Sequence, residues 1–183
     1  MAEVSSKRSG VRIYRVADAP DLTQTDFGEK NDFGDHPELQ DVARALAGAA
    51  TTASRLLVRQ TPDEGGFSLV YLFFKPNFPL FRHKHESDCL YIVISGSALM
   101  GNQTLRAGDS FFVPAWAPYS YTAGPEGIEV LEIRHNVDSF TTIFASNPPG
   151  ALAEAEAAIE ANTDTWRQIT VGPLLRGSQP EAT

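Results

Sequence analysis

Between residues 53 and 145 the sequence alternates short apolar runs with turn-forming residues, and this alternation narrows the choice of folds more than any other feature. The runs include SRLLVRQ, FSLVYLFF, CLYIVISGSALM and IEVLEIRH, and between them stand PDEGG, KPNFP, MGNQ and GPEG. The glycine–asparagine pair at 101–102 is typical of a hairpin turn. Many short strands at even spacing, with no helical pattern among them, predict an antiparallel sandwich or barrel.

Helical and polar segments flank this strand-rich region. Apolar residues recur at helical spacing before it, and an alanine-rich stretch follows it. In the polar N-terminal arm, Phe27 and Phe33 are expected to pack onto a neighbouring surface, and Trp166 is expected to dock the tail. The predicted segments are an extended arm at 1–36, a helix at 37–50, the strand-rich region at 53–145, a second helix at 148–162 and a tail at 163–183.

The composition restricts the partners of the chain. Its 183 residues are 42% hydrophobic and 21% charged, which predicts one globular domain with arms. A formal net charge of −8 argues against a nucleic acid partner and against a basic membrane-surface helix. The longest apolar run, LVYLFF, is too short to cross a bilayer. The first ten residues lack the apolar stretch of a secretory signal, and a single cysteine suits a reducing compartment, so we expect a cytoplasmic protein without a membrane partner.

Two histidines one residue apart open the apolar run FRHKHESDCLYIV. On a strand, His83 and His85 point to the same face, and the charged Arg82 and Lys84 take the opposite face. This alternation predicts that Phe81 and both histidines face the interior. Two buried neutral imidazoles need either a metal or polar neighbours that satisfy them, and both interpretations stay open.

The residues that follow the histidine pair carry a family resemblance. His83, Lys84 and His85, with Gly96 at the end, resemble the first signature motif of the cupin superfamily. In that motif a glycine precedes the first histidine with five residues between them, a position where this chain has Asn77. A glutamate stands where this chain has Cys89, its only cysteine.

A second spaced motif strengthens the resemblance. Gly108 and Pro114 match the second cupin motif, while Trp116, Tyr119 and Ala123 replace its glycine, histidine and asparagine. The resemblance spans roughly residues 55–145 and implies a double-stranded β-helix barrel, an all-β jelly roll with one flanking helix on each side. Because such barrels commonly pair through edge strands and exchanged arms, it also implies a homodimer.

The resemblance further implies a metal site with altered ligands. In cupin enzymes two histidines and a glutamate from the first motif bind the metal with a histidine from the second. Carried over by position, the ligands are His83, His85, Cys89 and Tyr119, with His135 as a substitute if it faces inward. A thiolate suits zinc, iron or copper and a phenolate binds ferric iron, so iron or zinc is expected and copper is the third candidate.

The cysteine is similar to that of thiol dioxygenases, cupins in which a cysteine occupies the glutamate position. In some of these enzymes the cysteine is cross-linked to a tyrosine, a role that Tyr119 or Tyr121 would take here. They bind ferrous iron through three histidines, however, and this chain has a tyrosine at the third position. The alternatives are that Cys89 is a small core residue and that Tyr119 lines the pocket without binding metal.

The barrel interior is expected to hold a small, largely apolar or aromatic ligand with one oxygen or carboxylate end at the histidine pair. Arg134 would pair with a carboxylate if its strand places it inward; a solvent-facing arginine is the alternative. The candidate substrate-binding residues are Phe81, Tyr91, Phe112, Trp116 and Arg134.

Three functions suit such a barrel. A bound metal would support oxygenation, or it would act as a Lewis acid while a side chain moves a proton in a lyase or isomerase reaction. Tyr119, Tyr121 and Cys89 are the candidate catalytic residues. The third function is a metal-free barrel that only binds a small ligand, as a sensor or storage protein. We predict a metal-dependent enzyme, and metal content separates it from the third function.

Overall fold

The computed structural model describes residues 10–27, 29–49, 52–61, 64–135 and 140–177; the first nine residues of the predicted arm and the last six of the predicted tail lie outside them. The strands are β1 Glu29–Asp32, β2 Thr52–Arg59, β3 Phe67–Phe74, β4 Pro79–Lys84, β5 Cys89–Met100, β6 Gln103–Arg106, β7 Ser110–Val113, β8 Tyr119–His135 and β9 Phe140–Phe144. The helices are α1 Glu38–Gly48, α2 Ala151–Gln168 and α3 Pro173–Gly177, with a 3-10 turn at Leu22–Gln24.

The strands form one curled sheet around an apolar interior. Its main path runs β1-β9-β4-β8-β3-β2, and β5 joins β6 and β7 to the long strand β8. All pairings are antiparallel except that of β1 with β9. Because β8 pairs with β3, β4 and β5, it connects the two halves of the barrel. The antiparallel barrel predicted from the strand pattern is therefore confirmed.

A close backbone crossing explains the glycine that ends the first motif. Gly96 has a φ of 72°, and a Cβ added there would lie 2.1 Å from the carbonyl oxygen of Gly127. Because no side chain tolerates that distance, strands β5 and β8 can only approach each other here if this residue is glycine. The approach coincides with a register shift between the two strands.

Helix α1 packs against the barrel through one face. Leu39, Val42 and Leu46 are buried at helical spacing, and Ala43 and Leu46 line the barrel cavity. The helix spans Glu38–Gly48 where the sequence predicted 37–50. Helix α2 extends to Gln168, beyond the predicted end at 162, and so Trp166 belongs to the helix and not to the tail.

The N-terminal arm packs on its own barrel. Phe27 is fully buried in a cluster with Val70 and Phe140. Phe33 stacks on Phe144 with ring centroids 4.6 Å apart, and strand β1 hydrogen-bonds to β9. The surface that these phenylalanines cover belongs to the same chain, so their burial needs no exchange of arms between subunits. Within the described ranges, moreover, none of the helices combines the length and apolar character that crossing a membrane requires.

Candidate functional site

The histidine pair lies inside the barrel with both ε nitrogens turned towards Tyr119. His83 Nδ1 lies 2.7 Å from the carbonyl oxygen of Phe81, and His85 Nδ1 lies 2.7 Å from that of Thr141. A carbonyl only accepts, so both δ nitrogens carry the proton and both ε nitrogens present a lone pair. Burial is the main cause that lowers the pKa of each imidazole to about 3. The next cause that lowers the pKa is the charge of His85 in the case of His83, and the Arg134 cation in the case of His85. Both rings are therefore neutral at pH 7.

The two ε nitrogens converge on one phenol oxygen. The Tyr119 hydroxyl lies 2.8 Å from His83 Nε2 and 3.2 Å from His85 Nε2. The hydroxyl of Tyr91 lies 2.6 Å from the same oxygen. Burial, and next the carboxylate of Glu132, raise the pKa of Tyr119 well above 10, so its phenol is protonated at neutral pH in this environment. The histidines and the tyrosine that replaces the second-motif histidine thus meet at one point, as the resemblance implied.

A buried ion pair lies beside this cluster. Glu132 accepts a hydrogen bond from Arg134, and both side chains are 2% exposed. The Nη2 atom of Arg134 lies 3.2 Å from His85 Nε2, and its guanidinium stacks over Phe140 at 3.8 Å. Arg134 is thus inside the barrel, and the alternative of a solvent-facing arginine is wrong. Removing one partner of such a pair typically costs about 3–5 kcal/mol.

Sequence reasoning missed Glu132. The run IEVLEIRH places this glutamate and Arg134 two residues apart on the face that Val130 buries, so strand alternation contained the signal. Ligand atoms of His85, Cys89 and Glu132 lie within 4.8 Å of one another, an arrangement that brings a carboxylate to the site from β8. The acid that the first motif lacks is thereby present on a neighbouring strand.

Cys89 is buried beside the cluster but does not line the cavity. Its thiol donates to the carbonyl oxygen of Ser87 at 3.4 Å. Burial, and next the negative charge of Glu132, raise the pKa of the thiol to about 12, so the thiolate is disfavoured. In these surroundings the side chain is a small core residue adjacent to His85.

The cavity has a polar floor and apolar walls. Its volume is about 190 Å³, and His83, His85, Tyr91, Tyr119 and Glu132 form the floor. The walls include Leu46, Leu72, Phe74, Phe78, Phe81 and Tyr121. Of the predicted substrate-binding residues, Phe81 and Tyr91 line this cavity, whereas Arg134 lies behind its floor.

Three sequence predictions place side chains on the wrong side of the sheet. Phe112 is 58% exposed and Trp116 is 54% exposed, so neither lines the cavity. On β7 the inward position is Phe111, which stacks on Tyr91 at 4.5 Å. Trp116 follows the strand in a turn with a φ of 66°, and Lys84 Nζ lies 5.5 Å from the centre of its ring. His135 is exposed because it alternates with the inward Arg134, and cannot replace the missing imidazole.

The histidines and Tyr119 fit a transition metal. Bonds of 2.0–2.1 Å separate neighbouring ligand atoms by about 2.9 Å in octahedral and about 3.4 Å in tetrahedral geometry. The observed nitrogen–oxygen distances of 2.8 and 3.2 Å correspond to this spacing. The carbonyls on both δ nitrogens are the partners that orient metal-binding histidines. The set of His85, Cys89 and Glu132 fits less well, since Arg134 occupies the carboxylate.

Comparisons with known proteins place the barrel in a structural class. No family model matches the sequence, and no curated protein matches it. The polyketide cyclase RemF from Streptomyces resistomycificus superimposes with a TM-score of 0.52 at 16% identity, over 84% of this chain and 99% of that one. An RmlC-like cupin from Shewanella frigidimarina gives a TM-score of 0.41 at 20% identity, over 48% of this chain and 78% of that one. A double-stranded β-helix protein from Klebsiella pneumoniae gives a TM-score of 0.43 at 17% identity, over 52% of this chain and 85% of that one.

The chain has the cupin fold. The barrel implied by the two motifs is confirmed, and it carries His83 near the end of β4, His85 directly after that strand and the second-motif tyrosine at the start of β8.

Proposed function

We propose that this cupin-fold chain is a metal-dependent enzyme that acts on a small, largely apolar or aromatic molecule. His83, His85 and Tyr119 would hold the metal, iron or zinc, with copper as the third candidate. The observation that carries the proposal is the convergence of two lone-pair nitrogens on the Tyr119 oxygen at the polar floor of the barrel cavity. The fold likeness to RemF, which is described as a polyketide cyclase, supports an enzyme of this shape.

The acidities of the floor favour a metal over catalysis by side chains alone. A general acid or base works best when its pKa lies near the working pH. The histidines have a pKa of about 3, and that of Tyr119 lies well above 10, so neither type of group exchanges protons readily at pH 7. Neutral imidazoles are, however, in the protonation state that a metal requires. The pocket is thus better suited to binding a metal than to metal-free acid–base chemistry.

The reaction is either a lyase or isomerase type of proton transfer or an oxygenation. A bound metal would supply Lewis-acid polarisation of a substrate oxygen, or a binding position for dioxygen if it is iron. The apolar walls orient the substrate and exclude water, and the hydrogen bond between Tyr91 and Tyr119 offers a path for a proton along the floor. Tyr119 is the candidate catalytic residue that lines the cavity, whereas Cys89 lies outside this lining, beside His85 and Glu132.

A metal-free barrel that only binds its ligand is the second candidate, and one observation favours it. Tyr91 donates to Tyr119, Tyr119 donates to His83 and Arg134 donates to His85, an assignment that satisfies all three acceptors without a metal. Arg134 also places a positive charge 3.2 Å from the lone pair that a metal would use. In this function the histidines serve as hydrogen-bond acceptors.

Three further expectations belong to the same proposal. The partner is a small molecule, and a net charge of −8 supports the absence of a nucleic acid partner. A homodimer and a cytoplasmic location stay predictions from the sequence. The dimer does not depend on exchange of the described part of the arm, because Phe27 and Phe33 are already covered by their own barrel.

Metal content tests the proposal. The untagged protein is purified as wild type, His83→Ala, Cys89→Ala and His135→Ala, and its metals are measured by mass spectrometry. We expect near-stoichiometric iron or zinc in wild type, a loss of at least ten-fold in His83→Ala, and retention in Cys89→Ala and in the exposed-histidine control. If folded wild type takes up no iron, zinc or copper, the second candidate replaces the first. If the metal is present, oxygen consumption during turnover separates oxygenation from proton transfer.

A further inference from the structure

Tyr121 is a tyrosine of the cavity wall beside the polar floor, with its ring centroid 6.4 Å from that of Tyr119. It lies on β8 two residues after Tyr119, pairs with Leu80 across the sheet and is 4% exposed. Its ring meets Phe74 edge-on at 5.7 Å and Phe111 at 6.2 Å. These contacts fix the ring in an apolar wall and hold it beside the cavity.

The hydroxyl of Tyr121 has no hydrogen-bond partner among the residues that the structure describes, in contrast to the shared hydroxyls of Tyr91 and Tyr119. The Tyr121 oxygen does not belong to the fully buried polar atoms that lack a partner, so part of its surface is accessible. Because Tyr121 lines the cavity, its hydroxyl opens into the cavity. A phenol that is not satisfied by its own protein favours a ligand with an acceptor oxygen at that position. The hydroxyl of Tyr121 thus contributes one directional donor to a mostly apolar surface that also includes Asn31 and Thr142.

The size of the cavity limits the ligand. An engineered apolar cavity of about 150 Å³ takes up benzene. The cavity here measures about 190 Å³, which leaves room for one six-membered ring with a short substituent. Helix α1 forms one side of the cavity through Ala43 and Leu46, so a fused second ring would exceed this volume and extend towards the cavity opening.

We propose that the cavity takes a single-ring, largely apolar molecule with one acceptor oxygen, and that Tyr121 donates a hydrogen bond to this oxygen. This inference rests on the proposed function, to which it adds the size and chemical class of the substrate. Tyr121 is then a specificity-determining residue, because its hydroxyl would contact the ligand and takes no part in the hydrogen bonds that join Tyr119 to the histidines.

Two matched probes test the role of the hydroxyl. Acetophenone and α-methylstyrene have nearly the same shape, but only the ketone has an acceptor oxygen. Binding of each is measured by calorimetry to wild type, Tyr121→Phe and the surface control Tyr14→Phe. We expect Tyr121→Phe to weaken acetophenone about 2- to 10-fold and to leave α-methylstyrene unchanged, as one neutral hydrogen bond predicts. Equal effects on both probes, or no effect on either, would overturn the assignment of Tyr121.

A size series tests the volume argument. We expect 2-acetonaphthone to bind wild type at least ten-fold more weakly than acetophenone, and Ala43→Leu, which narrows the cavity from α1, to weaken acetophenone as well. Equal affinity for the one-ring and two-ring ketones would overturn the size limit. Each titration is run on chelator-treated and on zinc-supplemented protein. The metal proposal is refuted by the metal-content measurement and not by a missing zinc response, whereas a missing acetophenone cycle in both states refutes this inference alone.

Discussion

The protonation state of two residues decides what the cavity floor can do. Burial holds His83 and His85 neutral by disfavouring the imidazolium, while the hydrogen bond from each Nδ1 to a backbone carbonyl fixes the tautomer and opposes part of the fall in pKa. The nearby Arg134 cation disfavours a second positive charge still further. A neutral ring with a fixed tautomer serves as a metal ligand or as an acceptor, and the same features make its protonation costly to the fold.

This cost predicts an acid-sensitive fold. The folded pKa of both histidines is about 3, whereas an unfolded histidine titrates near 6.5. Below pH 6.5 the unfolded chain therefore binds protons that the folded chain does not, and stability falls as the pH drops towards 3. The difference between the folded and unfolded pKa values corresponds to a loss of about 2 kcal/mol of unfolding free energy per histidine between pH 7.5 and pH 5. Urea unfolding of chelator-treated protein at both pH values measures it.

Carboxylates also contribute to the pH dependence of the unfolding free energy, and a comparison of variants separates their contribution from that of the histidines. A His83→Gln/His85→Gln double variant should lose most of this pH dependence, while His135→Gln, at an exposed position, should keep the dependence of wild type. If the double variant shows the same drop as wild type, the pair is not held neutral by the fold.

At the scale of strands, the sequence predicted the faces of β4 and failed on β7. The charged residues of FRHKH fixed the inward face of β4, and the prediction for His83 agrees with the structure. Strand β7 reads SFFV, and two adjacent phenylalanines give alternation no polar residue to orient it. Phe111 faces inward because it stacks on Tyr91, a contact from another strand that the local sequence does not contain.

The charged pair on β8 was hidden for a related reason. Glu132 and Arg134 alternate with apolar residues, a pattern that normally indicates a solvent-facing stripe. Here the stripe faces inward because each charge is neutralised by the other. The fold class was predictable from motif spacing and strand pattern, whereas the carboxylate of the site depended on a pairing that appears only after folding.

Helix α2 is attached to the barrel mainly through Trp166, and this gives a prediction for one element. Its indole ring is fully buried and its Nε1 donates to the carbonyl oxygen of Pro76 at 2.7 Å. The backbone carbonyl of Trp166 accepts from the ammonium of Lys75 at 2.5 Å. We expect Trp166→Ala to cost about 3–5 kcal/mol of unfolding free energy and Trp166→Phe about 1–3 kcal/mol.

Chemical unfolding followed by circular dichroism measures both variants. Arg167→Ala, at the exposed neighbouring position, is the matched control and should change stability by less than about 0.5 kcal/mol. A Trp166→Phe variant as stable as wild type would show that the bond to Pro76 makes no net contribution.

Across the whole molecule, segments from both ends of the chain cover the barrel. The N-terminal side contributes Leu22 and Phe27, which are buried against Phe140. The C-terminal side covers the outer face of β3 and β8, where Tyr71 and Leu175 pack in one cluster. The strands are therefore apolar on both faces over part of the sheet, which explains why their sequences contain runs as well as strict alternation.

A buried carboxylate fastens the C-terminal segment and sets the last prediction. One oxygen of Glu129 accepts from the Tyr71 hydroxyl at 2.5 Å and from the backbone N–H of Leu174 at 2.9 Å. Its other oxygen has no partner among the described residues, so the group depends on these two donors. Removing residues 169–183 takes away the Leu174 donor and uncovers Tyr71 and Phe73, which are otherwise buried.

We expect this deletion to lower the unfolding free energy by about 3–5 kcal/mol, from lost apolar burial and a weakened buried carboxylate. It should also increase binding of a hydrophobic dye, because the uncovered aromatic face becomes accessible. A chain that ends at residue 177 keeps every contact that the structure describes for this segment and is the control. Urea unfolding and dye fluorescence compare the three proteins. If both truncations behave as wild type, the outer face of the sheet is stable without its C-terminal cover.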